Sequence, residues 1–332
     1  MTMTKDNYLL NNQISFKEAR ENTVLNPWQV TGFTDAEGSF TYSLSKNNIE
    51  NLATKFNLEF KVTQKSHSEG ILYEFKNYFG CGSVVIDNRK TDTKKYHVKS
   101  LNQIIDKIIP HFDFYPCLTS KQNNFIDWKK IAFMMKEKKH LTNSGLQEII
   151  NITSKMNKNR SFEDKYNYCS STLGFNVNNV YEKNKLSIID NELPKYWVQT
   201  FLAGEGLFYN YVNEDKNGNL KIDSTLEVGQ NNHDVAILLA LKNFFRGGYI
   251  KPRYDYADIY ECKNSRLVNR YIFRNTDSII KFVDEYQMLT RKHLDYLNWK
   301  KIIEIKQKGL HKTLEGINAI KDLKNNMNSK RD

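Results

Sequence analysis

Two glutamates stand at matching places in this sequence: Glu37 in Asp35-Ala-Glu-Gly38 and Glu205 in Ala203-Gly-Glu-Gly206, each directly before a glycine. Asn26-Pro27 and Pro194 are helix-start signals upstream of them, so each glutamate falls in the last turn of a helix. A helix C-terminus already carries roughly half a negative charge, which makes a glutamate there unfavourable by itself. Two such ends packed together gather two carboxylates and two negative dipole ends, and only cations relieve that arrangement. Carboxylate and main-chain oxygens suit a hard cation such as Mg²⁺, with Mn²⁺ as a substitute, which keeps waters and takes phosphate oxygens as further ligands. Cations so placed activate water and stabilise the leaving oxygen in phosphodiester hydrolysis. Gly32 and Ala36, four residues apart, form a small-residue stripe on the first helix, and Ala203 with Gly204 does the same on the second. Packed helix axes lie about 8–10 Å apart and the DNA minor groove is about 6 Å wide, so paired acids could face two phosphates across it. One copy of Asp-Ala-Glu-Gly reads as a solvated helix stop; the matched pair carries the chemistry.

The elements that must position these acids are themselves duplicated. Asp127-Trp-Lys-Lys-Ile131 returns as Asn298-Trp-Lys-Lys-Ile302 at an offset of 171, and Met156-Asn157 and Arg160 return as Met327-Asn328 and Arg331 at the same offset. Tyr78-Phe-Gly-Cys-Gly-Ser-Val84 is similar to Phe244-Phe-Arg-Gly-Gly-Tyr-Ile250 at 166, and the glutamate segments match at 168. Such a period is too long for a solenoid and reads as a tandem duplication about a pseudo-twofold axis. Strand patterns follow each glutamate. Phe40, Tyr42 and Leu44 alternate with Ser39, Thr41, Ser43 and Ser45, while Leu58, Phe60 and Val62 alternate with Lys61 and Thr63. Helices are expected around 101–109, 120–136, 276–288 and 291–307. The fold class is therefore α+β: two pseudo-symmetric αββαββα-type halves, each with an antiparallel sheet. An extension at 1–25, halves at 26–160 and 193–331 and a linker at 161–192 divide the chain. One face of each sheet is polar and partly basic, through Lys61, Lys95, His97 and Lys99 in the first half and Arg270 and Arg274 in the second. Arg89, Lys251 and Arg253 add charge in the turns. One such strand reads as a solvated face. Repeated over both halves, the pattern suits a β-ribbon in a major groove roughly 12 Å wide, with alternate side chains reaching base edges.

The bulk composition agrees. The chain of 332 residues carries a formal charge of +11 and is 39% apolar, which fits a folded protein with an anionic partner. Four cysteines, at 81, 117, 169 and 262, form no CxxC pair, which argues against a structural zinc or a disulfide framework. The apolar run Val235–Leu241 is too short to span a bilayer, so no membrane partner is expected. Residues 1–25 mix Lys5, Lys17 and Arg20 with Asp6, Glu18 and Glu21 and carry no presequence character, so the protein is expected to work where it is made.

Trp28-Gln-Val-Thr-Gly-Phe-Thr-Asp-Ala-Glu-Gly38 and Trp197-Val-Gln-Thr-Phe-Leu-Ala-Gly-Glu-Gly206 resemble the two motifs of single-chain LAGLIDADG homing endonucleases, and the resemblance extends over about residues 24–331. It implies paired saddle-shaped sheets over the DNA major groove and a motif-helix interface of Gly32, Ala36, Thr200 and Gly204. It implies a double-strand cut across the minor groove that leaves short 3′ overhangs. By position, Glu37 and Glu205 would be metal ligands, helped by the carbonyls of Ala36 and Gly204. Gln64 and Gln230 are similar to polar residues that order water in such sites, and Lys251 to a basic residue near them. Strand parity puts Gln64 on the Leu58–Phe60–Val62 face unless the strand bends. Two departures stand out: Thr200 replaces the usual small residue, so a wider crossing is expected there, and Ala203 replaces the counterpart of Asp35. The resemblance further implies a monomer, a long asymmetric double-stranded target and a gene inside an organellar intron, of a mitochondrion first and a chloroplast second. The same basic fold would also serve an RNA maturase acting on its own intron RNA, or a DNA-binding protein that no longer cuts.

Overall fold

The computed structural model describes residues 16, 24–46, 54–174, 192–214, 216, 220–252 and 268–328. Arg253, Arg331, Cys262 and the Ser45 side chain lie outside the described residues, as does most of 1–25. Helix α1, Pro27–Glu37, begins on Asn26, whose side chain accepts from Trp28 N at 2.9 Å while Gln29 Oε1 accepts from Asn26 N at 2.7 Å. That reciprocal box satisfies amides that the first helical turn leaves open. Strand β1, Gly38–Lys46, follows α1 without a loop. Next come β2 (Thr54–Lys65), α2 (Gly70–Phe79), β3 (Ser83–Asn88) and β4 (Thr93–Val98). A segmented helix follows in three pieces, Leu101–Gln103, Ile104–Ile108 and Ile109–Phe114, the middle one a π turn. Helices α3 (Lys121–Lys136) and α4 (Asn143–Thr153) close the first half.

The second half repeats the order: α6 (Lys195–Glu205), β5 (Gly206–Glu214), β6 (Leu220–Asn231), α7 (Val235–Phe244), β7 (Tyr249–Pro252), β8 (Val268–Phe273), α8 (Thr276–Glu285), α9 (Lys292–Gln307) and α10 (Leu314–Asn325). Both sheets have four antiparallel strands, in the orders β1-β2-β4-β3 and β5-β6-β8-β7. Among the described residues no helix is long and apolar enough to cross a membrane.

The repeated motifs prove to be fasteners. Trp128 and Trp299 are fully buried, and their indole N–H groups donate to Thr41 O and Tyr209 O at 3.0 and 3.3 Å, at equivalent places on β1 and β5. Asn157 and Asn328 donate to Phe40 O and Phe208 O, one residue earlier on the same strands. Each pair pins a late helical segment onto the first strand of its sheet. The residues between the halves are not all linker: Phe162–Thr172 forms helix α5, capped by Ser161 and carrying Glu163 and Asp164 in its first turn. Its Cys169 is buried, Tyr168 donates to Cys117 O and Phe162 packs edge-on against His233, so the helix touches both halves.

Helices α1 and α6 cross at the centre. A methyl group added to Gly32 would lie 2.4 Å from Trp197 O and 2.5 Å from Thr200 Oγ1, and one added to Gly204 would lie 2.4 Å from Ala36 Cβ. The expected widening at Thr200 does not occur, because its larger side chain faces a residue that has none. The Thr200 hydroxyl turns back to donate to Tyr196 O at 3.2 Å on its own helix.

A Gly32→Val variant is expected to lose about 1–3 kcal/mol of stability through overpacking, measured as a shift of the urea midpoint. A second expectation concerns buried His111, which lies 3.2 Å from Thr31 Oγ1 and 3.0 Å from Tyr78 OH. Burial pushes its pKa down from 6.5 to about 3. The unfolded chain thus takes up a proton that the fold refuses. This contribution to stability is complete above pH 6.5 and is lost as pH falls toward about 3. Urea titrations of wild type and His111→Gln should therefore converge as the buffer is acidified.

Candidate active site

The close crossing delivers the two glutamates to one place. At the end of the helix pair, a methyl on Gly204 would sit only 3.6 Å from Glu37 Oε1, so the Glu37 carboxylate lies beside the residue preceding Glu205. Burial holds both carboxyl groups above the usual carboxylate range, and the negative charge of Glu37 raises Glu205 further. Lys292, Lys121 and a glutamine hydrogen bond oppose the shift at each: Gln64 at Glu37 and Gln230 at Glu205.

The parity of Gln64 needs no bend. It shares the face of Val62 and Phe60, and that is the face on which α1 ends, so the amide at the strand terminus reaches the carboxylate at the helix terminus. Gln64 Oε1 accepts from Lys65 N at 2.9 Å, which leaves the NH₂ group for Glu37.

Lys251 is exposed on β7, paired with Arg270 of β8, which in turn pairs with Gly229 of β6. The ammonium groups at the acids come from the first residues of α3 and α9, which the sequence reading passed over. Lys121 Nζ donates to Thr34 O at 2.8 Å and to Asp35 O at 2.9 Å, and Lys292 Nζ donates to Gly204 O at 2.6 Å. Burial pulls the Lys292 pKa down to about 8, against the attraction of Glu37, Glu205 and Asp295. The two lysines stand seven residues ahead of Trp128 and Trp299, at the repeat offset of 171, and that signal could have found them.

Asp35 holds the lysine-bearing helix in place. Its oxygens accept from Leu118 N (2.8 Å), Thr119 N (3.3 Å), Thr119 Oγ1 (2.6 Å) and Trp197 Nε1 (2.8 Å), although burial raises its pKa. Ala203 has no side-chain acceptor to match, but its carbonyl accepts from Thr290 Oγ1 at 3.2 Å, where Asp35 accepts from Thr119.

The donor set fits a hard divalent cation. Two desolvated carboxylates meet at helix C-termini, and among the described residues no group of three or more His, Cys, Asp or Glu surrounds a common point, so remaining ligands would be main-chain, water or phosphate oxygens. The carbonyl of Gly204 is already an acceptor for Lys292, so a cation there would share or displace that bond.

The sheet register puts the groove candidates on one face. Ser39 pairs with Lys61, Lys61 with His97, and Thr63 with Lys95, while Thr41 and Ser43 follow Ser39 on β1. Acids interleave with these cations. Glu59 accepts from His97 Nδ1 at 2.9 Å and lies 3.3 Å from Lys95 and 3.7 Å from Lys99, Arg270 bonds Glu227 at 3.1 Å, and Arg274 bonds Asp223 at 3.0 Å. Arg89 is exposed in the β3–β4 turn.

The family model described as LAGLIDADG endonuclease matches residues 30–132 and 199–303. The chain is 28% identical over 311 residues to a probable intron-encoded endonuclease 2 of Neurospora crassa, covering 91% of this chain and 65% of that one. It is 27% identical to a probable intron-encoded endonuclease 3 of the same organism, covering 89% of this chain and 53% of that one. It is 25% identical to an uncharacterized mitochondrial protein RF1 of Saccharomyces cerevisiae, covering 92% and 60%. The chain thus spans about two thirds or less of the length of these relatives. Among solved structures it superposes with a TM-score of 0.76 on the meganuclease I-SmaMI bound to uncleavable DNA, at 28% identity over 94% of this chain and 100% of that one. I-SmaMI bound to an uncleaved DNA target in the presence of calcium ions superposes at 0.73, with 27% identity, 91% of this chain and 99% of that one.

Truncation of Asp35 to Ala strands four donors inside the fold and is expected to cost about 3 kcal/mol or more, at about 1–3 kcal/mol for each unpaired group. The loss is read from urea unfolding followed by tryptophan fluorescence, with Asp35→Asn intermediate because one amide oxygen still accepts.

Proposed function

This chain belongs to the LAGLIDADG endonuclease family, and on that premise we propose that it is a site-specific endonuclease cutting both strands of double-stranded DNA across the minor groove, with Mg²⁺ as its metal and short 3′ overhangs as its product. The observation that carries the reading is the meeting of Glu37 and Glu205, one from each half, at adjoining helix ends. Two acids related by a pseudo-twofold axis match two antiparallel strands related by the twofold of the duplex. The superposition on I-SmaMI structures that contain DNA supports the same partner.

In this reading Glu37 and Glu205, with the carbonyls of Ala36 and Gly204, hold the divalent cation. When bound, it supplies Lewis-acid stabilisation of the phosphoryl charge and lowers the pKa of water. Gln64 and Gln230 orient the carboxylates through their side-chain amides. Lys121 and Lys292 place positive charge beside the phosphates, where it offsets the charge that grows in the transition state. The polar sheet faces hold the duplex, and because the two halves differ at most of those positions the site is asymmetric. A mitochondrial intron as the location of the gene is supported by the relatives named as intron-encoded endonucleases and by the mitochondrial relative RF1.

On a plasmid bearing the target sequence, Mg²⁺ should produce one defined double-strand break, abolished by EDTA. Glu37→Gln and Glu205→Gln should each lower the rate by about a hundredfold or more, the scale on which lost electrostatic stabilisation acts, with DNA affinity retained in a gel-shift assay. A wild type that binds the site and cuts in neither Mg²⁺ nor Mn²⁺ would refute the nuclease reading.

A further inference from the structure

The two catalytic lysines of the proposed mechanism sit at the first residues of α3 and α9, so whatever fixes those helix starts fixes the ammonium groups. Both starts are gripped from the opposite half. Ser120 N donates to Asp234 Oδ1 at 2.8 Å and Ser120 Oγ to Asp234 Oδ2 at 3.1 Å. On the other side Arg291 N donates to Ser68 Oγ at 3.0 Å. Ser68 and Asp234 are equivalent: each stands four residues after the glutamine that bonds its glutamate, at the end of a short 3₁₀ turn.

Asp234 is poorly placed for this by local rules. It is the N-cap residue of α7, where an aspartate ordinarily bonds its own helix, yet its side chain makes no bond to α7. Both oxygens serve the other half, with His233 Nε2 at 3.3 Å and the Cys169 thiol also at the carboxylate. A carboxylate at a helix N-terminus is favoured by the helix dipole and makes stronger bonds than a neutral hydroxyl.

The two grips are therefore unequal. At α3 the amides of residues 118–121 all have side-chain acceptors: Asp35 for Leu118 and Thr119, Asp234 for Ser120, and the Thr119 hydroxyl for Lys121. At α9, among the described residues, the cross-half side chain that accepts from a main-chain amide is the neutral Ser68 hydroxyl, and Ala203 meets Thr290 Oγ1 with its carbonyl at 3.2 Å where Asp35 meets Thr119 with a carboxylate.

We propose that Asp234 is a positioning residue that fixes Lys121 through Ser120, and that the unequal clasps, Asp234 on α3 and Ser68 on α9, make the two DNA strands break at different rates. The rate part rests on the nuclease reading; the positioning part does not. Strand-specific labels on a linear duplex measure each rate separately. Wild type should cut one strand faster, and Asp234→Ser, which copies the opposite half, should slow that strand by about tenfold while DNA affinity and the other strand stay within about twofold. Asp234→Asn, which keeps an acceptor for Ser120 N, should recover part of the loss.

A second readout needs no cutting. Acetylation of Lys121 followed by mass spectrometry should quicken severalfold in Asp234→Ser with Lys292 unchanged. Equal strand rates in wild type, or rates that fall together in the variant as general destabilisation would cause, overturn the strand bias. Unchanged protection of Lys121 overturns the positioning role. A wild type that cuts neither strand but shows Asp234-dependent protection of Lys121 refutes the nuclease reading and sustains the positioning one.

Discussion

The crossing of α1 and α6 is closer than side chains ordinarily permit, and the rest of the molecule is arranged around that approach. Gly32 accepts Thr200 and Gly204 accepts Ala36, so two helix ends come together with their carbonyl dipoles and their glutamates. Burying two carboxylates costs free energy, visible as the upward displacement of both carboxyl pKa values, with the charge of Glu37 adding to the shift at Glu205. The ammonium groups of Lys121 and Lys292 offset part of that cost, and their donation to helix-end carbonyls neutralises part of the dipole. What remains is an affinity for further cations and for whatever anion accompanies them.

The duplication supplies the frame and the divergence supplies its asymmetry. Trp128 with Trp299, and Asn157 with Asn328, make the same hydrogen bonds in both halves, so the frame is conserved between them where it fastens helix to strand. Beside the acids the halves part company. Asp35 faces Ala203 across the axis, and Asp234 stands opposite Ser68. Two aspartates accept the main-chain amides at the start of one lysine-bearing helix, and the Ser68 hydroxyl accepts one at the start of the other.

The sheet faces add a different constraint. Several of their cations are already paired: Glu59 gathers His97 and Lys95, Glu227 holds Arg270 and Asp223 holds Arg274. Partly exposed pairs of this sort are individually weak, worth about 0–1 kcal/mol, so exchanging a carboxylate for a phosphate costs little. Their effect is to hold long side chains in defined places, while the acids disfavour loosely bound anions.

The sequence alone determined the two halves, the helices that end at Glu37 and Glu205, and the alternation of β1 and β2, because caps, glycine stops and period-two patterns are local and the repeat displays each twice. It also contained the parity of Gln64, which looked like an obstacle until the end of α1 was seen to lie on the same face of the sheet. Helix α5 was hidden in a polar stretch that resembled linker, because its apolar contribution is small and its partners are far along the chain. The lysines and their clasps required the tertiary structure. Ser120 and Asp234 are 114 residues apart, and Asp35 and Leu118 are 83 apart. An aspartate beside a helix start gives no sign of which helix it caps. Direction of a side chain across an interface is decided by packing, and packing is what a one-dimensional pattern does not carry.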